Sequence, residues 1–261
     1  MGQFVESTRA GRVVWITLNR PEKRNALTRA MIGELLDEIE RVARDDEVRM
    51  LVLTATGKVF CAGMDLGEMQ QRAESADAEA EWQRDSEVYA ELLCGIYELP
   101  VPTISAVQGP ALAGGVGLVL ACDMTVASRS AFFSLPEPAR GITAAMVAPL
   151  LAHRCGYGTA RAMLLSMQRF SAERSAELGF CHAVVDDGAL QSTINELISG
   201  ALTGSRDALA ITKQQIDLCA GANVAAQIRE SVSVSATARK TASAREGLQA
   251  FLEKRKPNWC P

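Results

Sequence analysis

Two short glycine-containing segments constrain this chain more than any other feature of its sequence. Each follows an apolar run and opens a predicted helix, and they read FCAGMDL (60–66) and GPALAGGVG (109–117). Backbone N–H groups at a helix start lack an intrahelical partner and can hold an anion. Two such turns could direct two N–H donors at one carbonyl oxygen and form an oxyanion hole. The alternative is that both are tight strand-to-helix connections, which glycine permits.

A carboxylate, Glu137, follows soon after the second segment. Two backbone donors and one general base indicate enolate chemistry on an activated carbonyl. The apolar residues before it (FFSLP, 132–136) predict burial, which raises the pKa of a carboxyl group and suits a base that must also act as an acid. The alternative is that Glu137 only caps a turn.

Bulk properties exclude several classes of protein. A chain of 261 residues with 48% hydrophobic residues supports one large domain, or one domain with an appended helical piece. The net charge of −4 gives no electrostatic basis for binding nucleic acid or an anionic membrane. The sequence has no apolar run of about 20 residues that would span a membrane. The first residues, MGQFVE, lack the features of a signal peptide.

The cysteine and histidine usage predicts a reduced, metal-free protein. The seven cysteines are odd in number and include no CxxC pair, which favours free thiols and a cytoplasmic location. The two histidines show no ligand spacing, so we expect no metal site.

The predicted elements divide the chain into a strand–helix core of about 140 residues and a helical remainder. Strands are predicted at 13–18, 50–53, 103–107, 124–127 and 131–134, and helices at 29–44, 88–99 and 118–121. The segment 70–82 is either a mobile helical lid or a solvated helix. After Gly141, helices are predicted at 144–154, 159–165, 172–178, 190–202, 206–219, 224–237 and 242–254. The strand–turn–helix repeat favours right-handed crossovers.

The sequence resembles the crotonase superfamily, also called the enoyl-CoA hydratase/isomerase family, over essentially its whole length. The matching segments are LNRPEKRNAL (18–27), FCAGMDL (60–66), GPALAGGVGLVLACD (109–123), SLPE (134–137) and AFLEKRKPNW (250–259). The resemblance implies an α/β crotonase (ClpP-like) fold, with a spiral core over 1–195 and a C-terminal helical trimerisation region over 196–261. It also implies a homotrimer or a dimer of trimers.

The resemblance assigns roles to individual residues. The N–H groups of Met64 and Gly114 correspond to the oxyanion donors, and Glu137 corresponds to a catalytic glutamate. Residues expected to bind the coenzyme A portion or the acyl group are Lys23, Arg24, Ala26, Ala62, Asp65, Leu66, Gly117 and Arg140. In the last helix, Phe251 and Lys254 match positions that reach the coenzyme A of a neighbouring subunit. Coenzyme A enters as part of the substrate, and no separate cofactor is expected. For the loop at 18–27 and for Lys254, the alternatives are a polar turn and a solvated basic tail.

Two positions depart from the family pattern. Hydratases of the family often carry a second catalytic glutamate, and the corresponding residue here is Gly117. Arg140 stands where an apolar residue is common, and it could pair with a second carboxylate of the substrate or lie at the surface. The chain resembles the methylglutaconyl-CoA and isohexenylglutaconyl-CoA hydratases, which also tolerate a missing first glutamate, and glutaconyl-type thioesters carry the second carboxylate that Arg140 could pair with. We therefore expect hydration of a branched or glutaconyl-type 2-enoyl-CoA. The alternatives are a Δ3,Δ2-enoyl-CoA isomerase and a non-catalytic CoA-binding or RNA-binding scaffold.

Overall fold

A six-stranded sheet forms the framework of the computed structural model, which describes residues 2–221 and 223–260. Its strands are β1 (Val5–Ala10), β2 (Val13–Leu18), β3 (Met50–Ala55), β4 (Thr103–Val107), β6 (Met124–Ser128) and β9 (Ala183–Val185), which lie side by side in this order. β1 and β2 are antiparallel, and every later neighbour is parallel. A smaller sheet contains β5 (Ala111–Leu112), β7 (Phe132–Ser134) and β8 (Phe170–Ser171).

Helices cover both faces of the larger sheet. They are α1 (Arg29–Arg44), α2 (Leu66–Ala73), α3 (Ala78–Tyr97), α4 (Gly114–Ala121), α5 (Val147–Ser166), α6 (Ala172–Glu177), α7 (Leu190–Ala201), α8 (Arg206–Ala220), α9 (Val224–Ala238) and α10 (Ala242–Leu252). α1 starts as predicted, because the Thr28 side chain accepts a hydrogen bond from the Met31 N–H at 3.1 Å. The helices predicted at 144–154 and 159–165 form one element, α5, whose backbone breaks at Gly156.

The main core lies between the sheet and helices that include α1, α3, α4 and α5. A second apolar cluster packs α7 against the opposite face, with Ile194 buried next to Val126 and Ile104. The boundary predicted between residues 195 and 196 thus falls within α7, a helix that packs on the sheet. After β9, all elements of the described chain are helical, beginning with a 3-10 turn at Asp187–Ala189 and α7.

The topology brings the two glycine-containing segments to one edge of the sheet. β3 and β4 are parallel neighbours, with Val52 paired to Ile104, and one segment follows each strand. The carboxyl ends of parallel strands meet at the same edge, where ligands commonly bind in such sheets. α9 packs along α3, and α10 packs on α2 and on a 3-10 turn at Glu137–Arg140. These contacts place the last two helices over the same edge.

None of the helices in the described ranges is both long enough and apolar enough to cross a membrane.

Candidate active site

The two glycine-containing turns are in direct contact. The Leu112 N–H donates to the Cys61 carbonyl at 2.8 Å, and the Phe60 N–H donates to the Pro110 carbonyl at 3.0 Å. Gly63 has a φ of 88°, and a Cβ atom there would lie 3.2 Å from the Gly114 nitrogen. Only glycine accommodates both this backbone conformation and this approach. The local pattern of small residues therefore holds the two turns together.

The N–H groups of Met64 and Gly114 are free of the bonds that join the turns. Gly114 is the first residue of α4, so its N–H has no acceptor within the helix. Met64 pairs with Leu27 in an isolated bridge, in which the Leu27 N–H donates to the Gly63 carbonyl and the Asp65 N–H donates to the Leu27 carbonyl. The Met64 N–H takes no part in either bond. Both residues line one cavity of about 580 Å³.

Ala113, which directly precedes the Gly114 N–H, has unusual backbone torsion angles. Ala113 adopts a φ of 52° and a ψ of −127°, a combination that an L-residue rarely adopts. Its N–H donates to the Ser134 carbonyl in β7 at 2.9 Å, which anchors the turn to the smaller sheet. Backbone strain of this kind concentrates at functional sites, where the surrounding structure maintains it. Here the strain sets the direction of a proposed donor.

Glu137 lies in the same cavity, at the start of the 3-10 turn after β7. Its side chain is buried, and its Oε2 atom has no hydrogen-bond partner among the residues that the structure describes. Burial raises its pKa to about 7, although the backbone N–H of Glu137 and the charge of Arg140 oppose this shift. A carboxyl group with a pKa near neutrality can both take up and release a proton.

Arg140 closes the same 3-10 turn and lines the cavity. Its guanidinium lies over the Phe251 ring at 4.7 Å from the centroid, and its buried Nε has no hydrogen-bond partner in residues 2–221 and 223–260. Burial lowers the pKa of Arg140, while Glu137 opposes that shift. Within the described part of the chain, no carboxylate forms an ion pair with Arg140. A half-buried guanidinium without an anionic partner is suited to bind an anion.

Arg239, near the end of α9, is a second arginine in this region that the sequence analysis did not identify. It is 8% exposed, its Nη1 lacks a hydrogen-bond partner, and that atom lies 3.8 Å from Asp85 Oδ2. Asp85 also accepts hydrogen bonds from Arg29 and Arg72. Arg239 and Arg140 both line a second cavity of about 380 Å³ next to the first. No local sequence signal separates Arg239 from an ordinary solvated arginine.

The loop between β2 and α1 forms the rim of the cavity. Lys23 and Arg24 are exposed there and line its entrance, as the resemblance implied for residues that bind coenzyme A. The Ala62 N–H donates to the Arg24 carbonyl at 3.0 Å, which joins this loop to the first glycine turn. The basic loop and the proposed donors thus belong to one connected structure.

Asn25 holds this loop in place, a role that the sequence analysis missed. Its side chain is fully buried and donates at 2.9 Å to the carbonyls of Thr56 and Val59, while its Oδ1 accepts from the Arg20 N–H at 2.8 Å. Its φ of 52° lies in the left-handed region that asparagine tolerates. The asparagine in a polar turn was the available signal, but its distant partners were not visible in the sequence.

Asp65 has a structural function in addition to lining the cavity. Its side chain caps α2 by accepting from the Gly67 and Glu68 N–H groups, and it forms an ion pair with Arg20 at 2.7 Å. Burial alone would raise its pKa, but Arg20 and the helix N–H groups lower it below the ordinary value. Asp65 is therefore ionised, and its carboxylate already interacts with Arg20 and with the N–H groups of α2.

Tyr89 takes the place that a side chain at Gly117 would fill. A Cβ atom on Gly117 would collide with the Tyr89 hydroxyl and lie 3.1 Å from Val147 Cγ2. The hydroxyl instead donates to the Gly114 carbonyl at 2.6 Å, and Tyr89 lines the cavity. Burial, together with nearby Cys61 and Glu137, raises the pKa of Tyr89 well above its ordinary value. Gly117 therefore lies behind the tyrosine, in contrast to its expected position at the substrate.

The last helix covers the cavity of its own chain. Phe251 lines the cavity and stacks on Arg140, whereas the resemblance implied a contact with a neighbouring subunit. Gly247 permits this arrangement, because its Cα approaches the Arg140 backbone closely. Lys254 is exposed and, within the described chain, lies outside the residues that line this cavity.

Most of the predicted site residues thus meet in one place. Those that line the cavity are Lys23, Arg24, Ala26, Ala62, Met64, Asp65, Leu66, Gly114, Glu137, Arg140 and Phe251.

Comparisons with known proteins show which proteins this chain is similar to. The model of the enoyl-CoA hydratase/isomerase family matches residues 8–260. A 2,3-dehydroadipyl-CoA hydratase of Escherichia coli is 30% identical over 99% of each chain, and a 1,2-epoxyphenylacetyl-CoA isomerase of the same organism is 33% identical over 99% of each. The crystal structure of an enoyl-CoA hydratase from Mycobacterium avium matches with a TM-score of 0.87 and 31% identity over the whole of both chains.

The chain belongs to the enoyl-CoA hydratase/isomerase family and has the crotonase fold. It is an acyl-CoA enzyme of this family.

Proposed function

We propose that this protein adds water across the C2–C3 double bond of a 2-enoyl-CoA, with Glu137 as its one catalytic carboxylate. The observation that carries the proposal is the placement of Glu137. It is 6% exposed, its Oε2 has no partner, and it shares a cavity with the N–H groups of Met64 and Gly114. A base beside two backbone donors suits a reaction that passes through a thioester enolate.

The proposed reaction proceeds through an enolate. The ionised Glu137 takes a proton from water as the oxygen bonds to C3 of the acyl chain. The π electrons of the C2–C3 bond move toward the thioester carbonyl, whose oxygen accepts hydrogen bonds from Met64 and Gly114. Glu137 then returns its proton to C2. The high pKa of the buried carboxyl group makes this return favourable at neutral pH.

The acyl group that fits best is branched or glutaconyl-type, with a second carboxylate. Arg140 supports this assignment because it is half-buried in the cavity wall and its buried Nε has no hydrogen-bond partner among the described residues. Removing a guanidinium from water is unfavourable unless an anion accompanies it. One relative is named a 2,3-dehydroadipyl-CoA hydratase, and an adipyl thioester has a free carboxylate at its far end. The exposed Lys23 and Arg24 would bind the phosphates of coenzyme A at the rim.

A Δ3,Δ2-enoyl-CoA isomerase is the second candidate. The favouring observation is that the position of a second glutamate holds Gly117, whose surroundings are filled by Tyr89. One carboxylate is enough to move a proton between C4 and C2 through an enolate.

A panel of enoyl-CoA thioesters, analysed by mass spectrometry, separates these reactions. The panel would contain branched, glutaconyl-type and unbranched 2-enoyl-CoA together with 3-enoyl-CoA. We expect 2-enoyl thioesters to gain the mass of water. Conversion of 3-enoyl-CoA to 2-enoyl-CoA at constant mass, without water addition, would establish the isomerase instead. Tight binding of coenzyme A without turnover of any thioester would support a non-catalytic scaffold.

A further inference from the structure

Tyr89 is a buried polar residue of the cavity that takes no part in the proton transfers proposed above. α3 places its phenol against the first turn of α4, where a Cβ atom on Gly114 would lie 3.2 Å from the hydroxyl oxygen. The side chain is 3% exposed and lines the cavity together with Glu137. We propose that the Tyr89 hydroxyl is the second acceptor for the reacting water, so that Tyr89 and Glu137 hold this water together.

The hydrogen-bond inventory of the phenol supports this role. A tyrosine hydroxyl has one hydrogen to donate and lone pairs with which to accept. The hydrogen is committed to the Gly114 carbonyl at 2.6 Å. The oxygen is therefore fixed as an acceptor. A water molecule that donates one hydrogen to Glu137 needs an acceptor for the other, and with both in place its own lone pair is directed at the substrate.

The other polar side chains that line the cavity are less suited to this function, and two of them, Glu22 and Thr143, are exposed to solvent. Arg140 and Arg239 have no acceptor atoms. Asp65 is occupied by Arg20 and by the start of α2. The Ser235 hydroxyl is already hydrogen-bonded with Ser86 at 3.1 Å. Tyr89 is the side chain that combines burial, a fixed acceptor and contact with the turn that carries the Gly114 donor.

This inference rests on the proposed hydration, and it completes the proton balance of that reaction. One water hydrogen passes to Glu137 and then to C2 of the acyl chain. The other stays on the oxygen that bonds to C3, and it remains hydrogen-bonded to Tyr89 in the product. Tyr89 neither gains nor loses a proton during the catalytic cycle.

Tyr89→Phe tests the proposal by removing only the oxygen. Two rates are measured on each protein: hydration of a 2-enoyl-CoA, and exchange of the C2 hydrogens of the matching saturated acyl-CoA with deuterium from D₂O. Exchange requires Glu137 and the two N–H donors but no bound nucleophilic water. We expect hydration to fall about 10- to 100-fold, while exchange stays within about two-fold of wild type. Tyr97→Phe is the matched control, because Tyr97 lies on the same helix and its hydroxyl bonds to Asp217 at 2.6 Å, away from this cavity.

Unchanged hydration in Tyr89→Phe would overturn the inference. A parallel loss of hydration and exchange would also overturn it, because Tyr89 would then act only by supporting the Gly114 turn. Exchange without hydration in the wild-type protein would instead contradict the proposed function, and the inference would fall with it.

A second comparison does not depend on Tyr89→Phe. Tyr89→Ala opens the space beside Gly117, and the double variant Tyr89→Ala/Gly117→Glu places a new acceptor in that space. We expect the double variant to hydrate at least about ten-fold faster than Tyr89→Ala alone. Equal rates in the two variants would contradict the need for a second acceptor.

Discussion

Gly63 approaches Ala113 so closely that a Cβ atom on Gly63 would lie 2.7 Å from the Cβ atom of Ala113. The two residues belong to different glycine turns, and each directly precedes a proposed donor. Gly63 has a φ of 88° and Ala113 a φ of 52°, so both turns depend on left-handed backbone at the point of contact. The distance between the Met64 and Gly114 donors is therefore set by backbone packing and is sensitive to one added methyl group.

We expect Gly63→Ala to lower the turnover number by about 100-fold or more, because both donors shift away from the oxygen that they stabilise. The variant should also unfold at a lower temperature, since alanine is strained at this φ. Steady-state kinetics and thermal melting check the two effects. Gly33→Ala, in α1, is the control, because a Cβ atom there meets nothing within 4 Å. If Gly63→Ala turned over about as fast as Gly33→Ala, the contact between Gly63 and Ala113 would not determine the positions of the two N–H donors.

Local patterns predicted most of the fold. The strands β2, β3, β4, β6 and β7 and nearly all helices lie where apolar periodicity indicated them. β1 and β9 were missed for physical reasons. β1 (VESTRA) is a polar edge strand in which only Val5 is buried. β9 has three residues and forms the opposite edge of the sheet. Neither strand therefore shows a period-two pattern of buried apolar residues long enough to be recognised.

The residues of the candidate site could be predicted only where they belong to a short continuous motif in the sequence. The glycine turns and Glu137 are contiguous motifs, and the cavity contains them. Tyr89, Asn25 and Arg239 were missed because each acts through partners far away in the chain. Tyr89 is hydrogen-bonded to Gly114, and Arg239 lies near Asp85. Nothing in the sequence around these residues shows those partners.

Arg140→Leu should distinguish substrates by their charge. For a glutaconyl-type thioester, we expect a loss of about 2–4 kcal/mol in transition-state binding, typical of removing one partner of a desolvated ion pair. A neutral enoyl-CoA should lose little, because it never contacts the guanidinium. Values of kcat/KM for both thioesters give the comparison, with the exposed Arg161→Leu as the control. Equal losses on both substrates would show that Arg140 only maintains the cavity wall.

The high pKa of Glu137 also predicts how protein stability depends on pH. Below pH 4.5 the group is protonated in both the folded and unfolded states. Between pH 4.5 and about 7, Glu137 is ionised in the unfolded chain but still protonated in the folded protein, so the free energy of unfolding falls as the pH rises. It levels off above about pH 7, the folded-state pKa. The gap from 4.5 to about 7 corresponds to about 3 kcal/mol.

Glu137→Gln removes this penalty and keeps the shape of the side chain. Its free energy of unfolding, measured with denaturant, should exceed that of wild type by up to about 3 kcal/mol at pH 8, and the difference should shrink toward pH 4.5. The exposed Glu196→Gln should follow the wild-type curve. A constant difference across this range would mean that Glu137 is not desolvated in the folded protein.

We also predict that the protein forms a trimer or a dimer of trimers. α8 exposes Ile211, Ile216 and Leu218 at 63%, 59% and 75%, and such apolar surface commonly marks an interface. Two other apolar residues of the helical region, Val224 and Ile228, are buried within the chain itself and contribute nothing to this surface. Sedimentation should show the assembly, and Ile211→Glu/Leu218→Glu should weaken it, whereas Gln214→Glu on the same helix should not. A stable monomer at micromolar concentration would contradict the prediction.

We propose that Glu137 is the one carboxylate that carries the proton in water addition. Single-turnover hydration of a bound 2-enoyl-CoA by Glu137→Gln, with thioester affinity measured separately, tests this role. We predict a loss of about 10²- to 10⁴-fold in the rate of water addition, with affinity within a few-fold of wild type. A variant that binds the thioester and hydrates it at most of the wild-type rate would show that another group carries the proton.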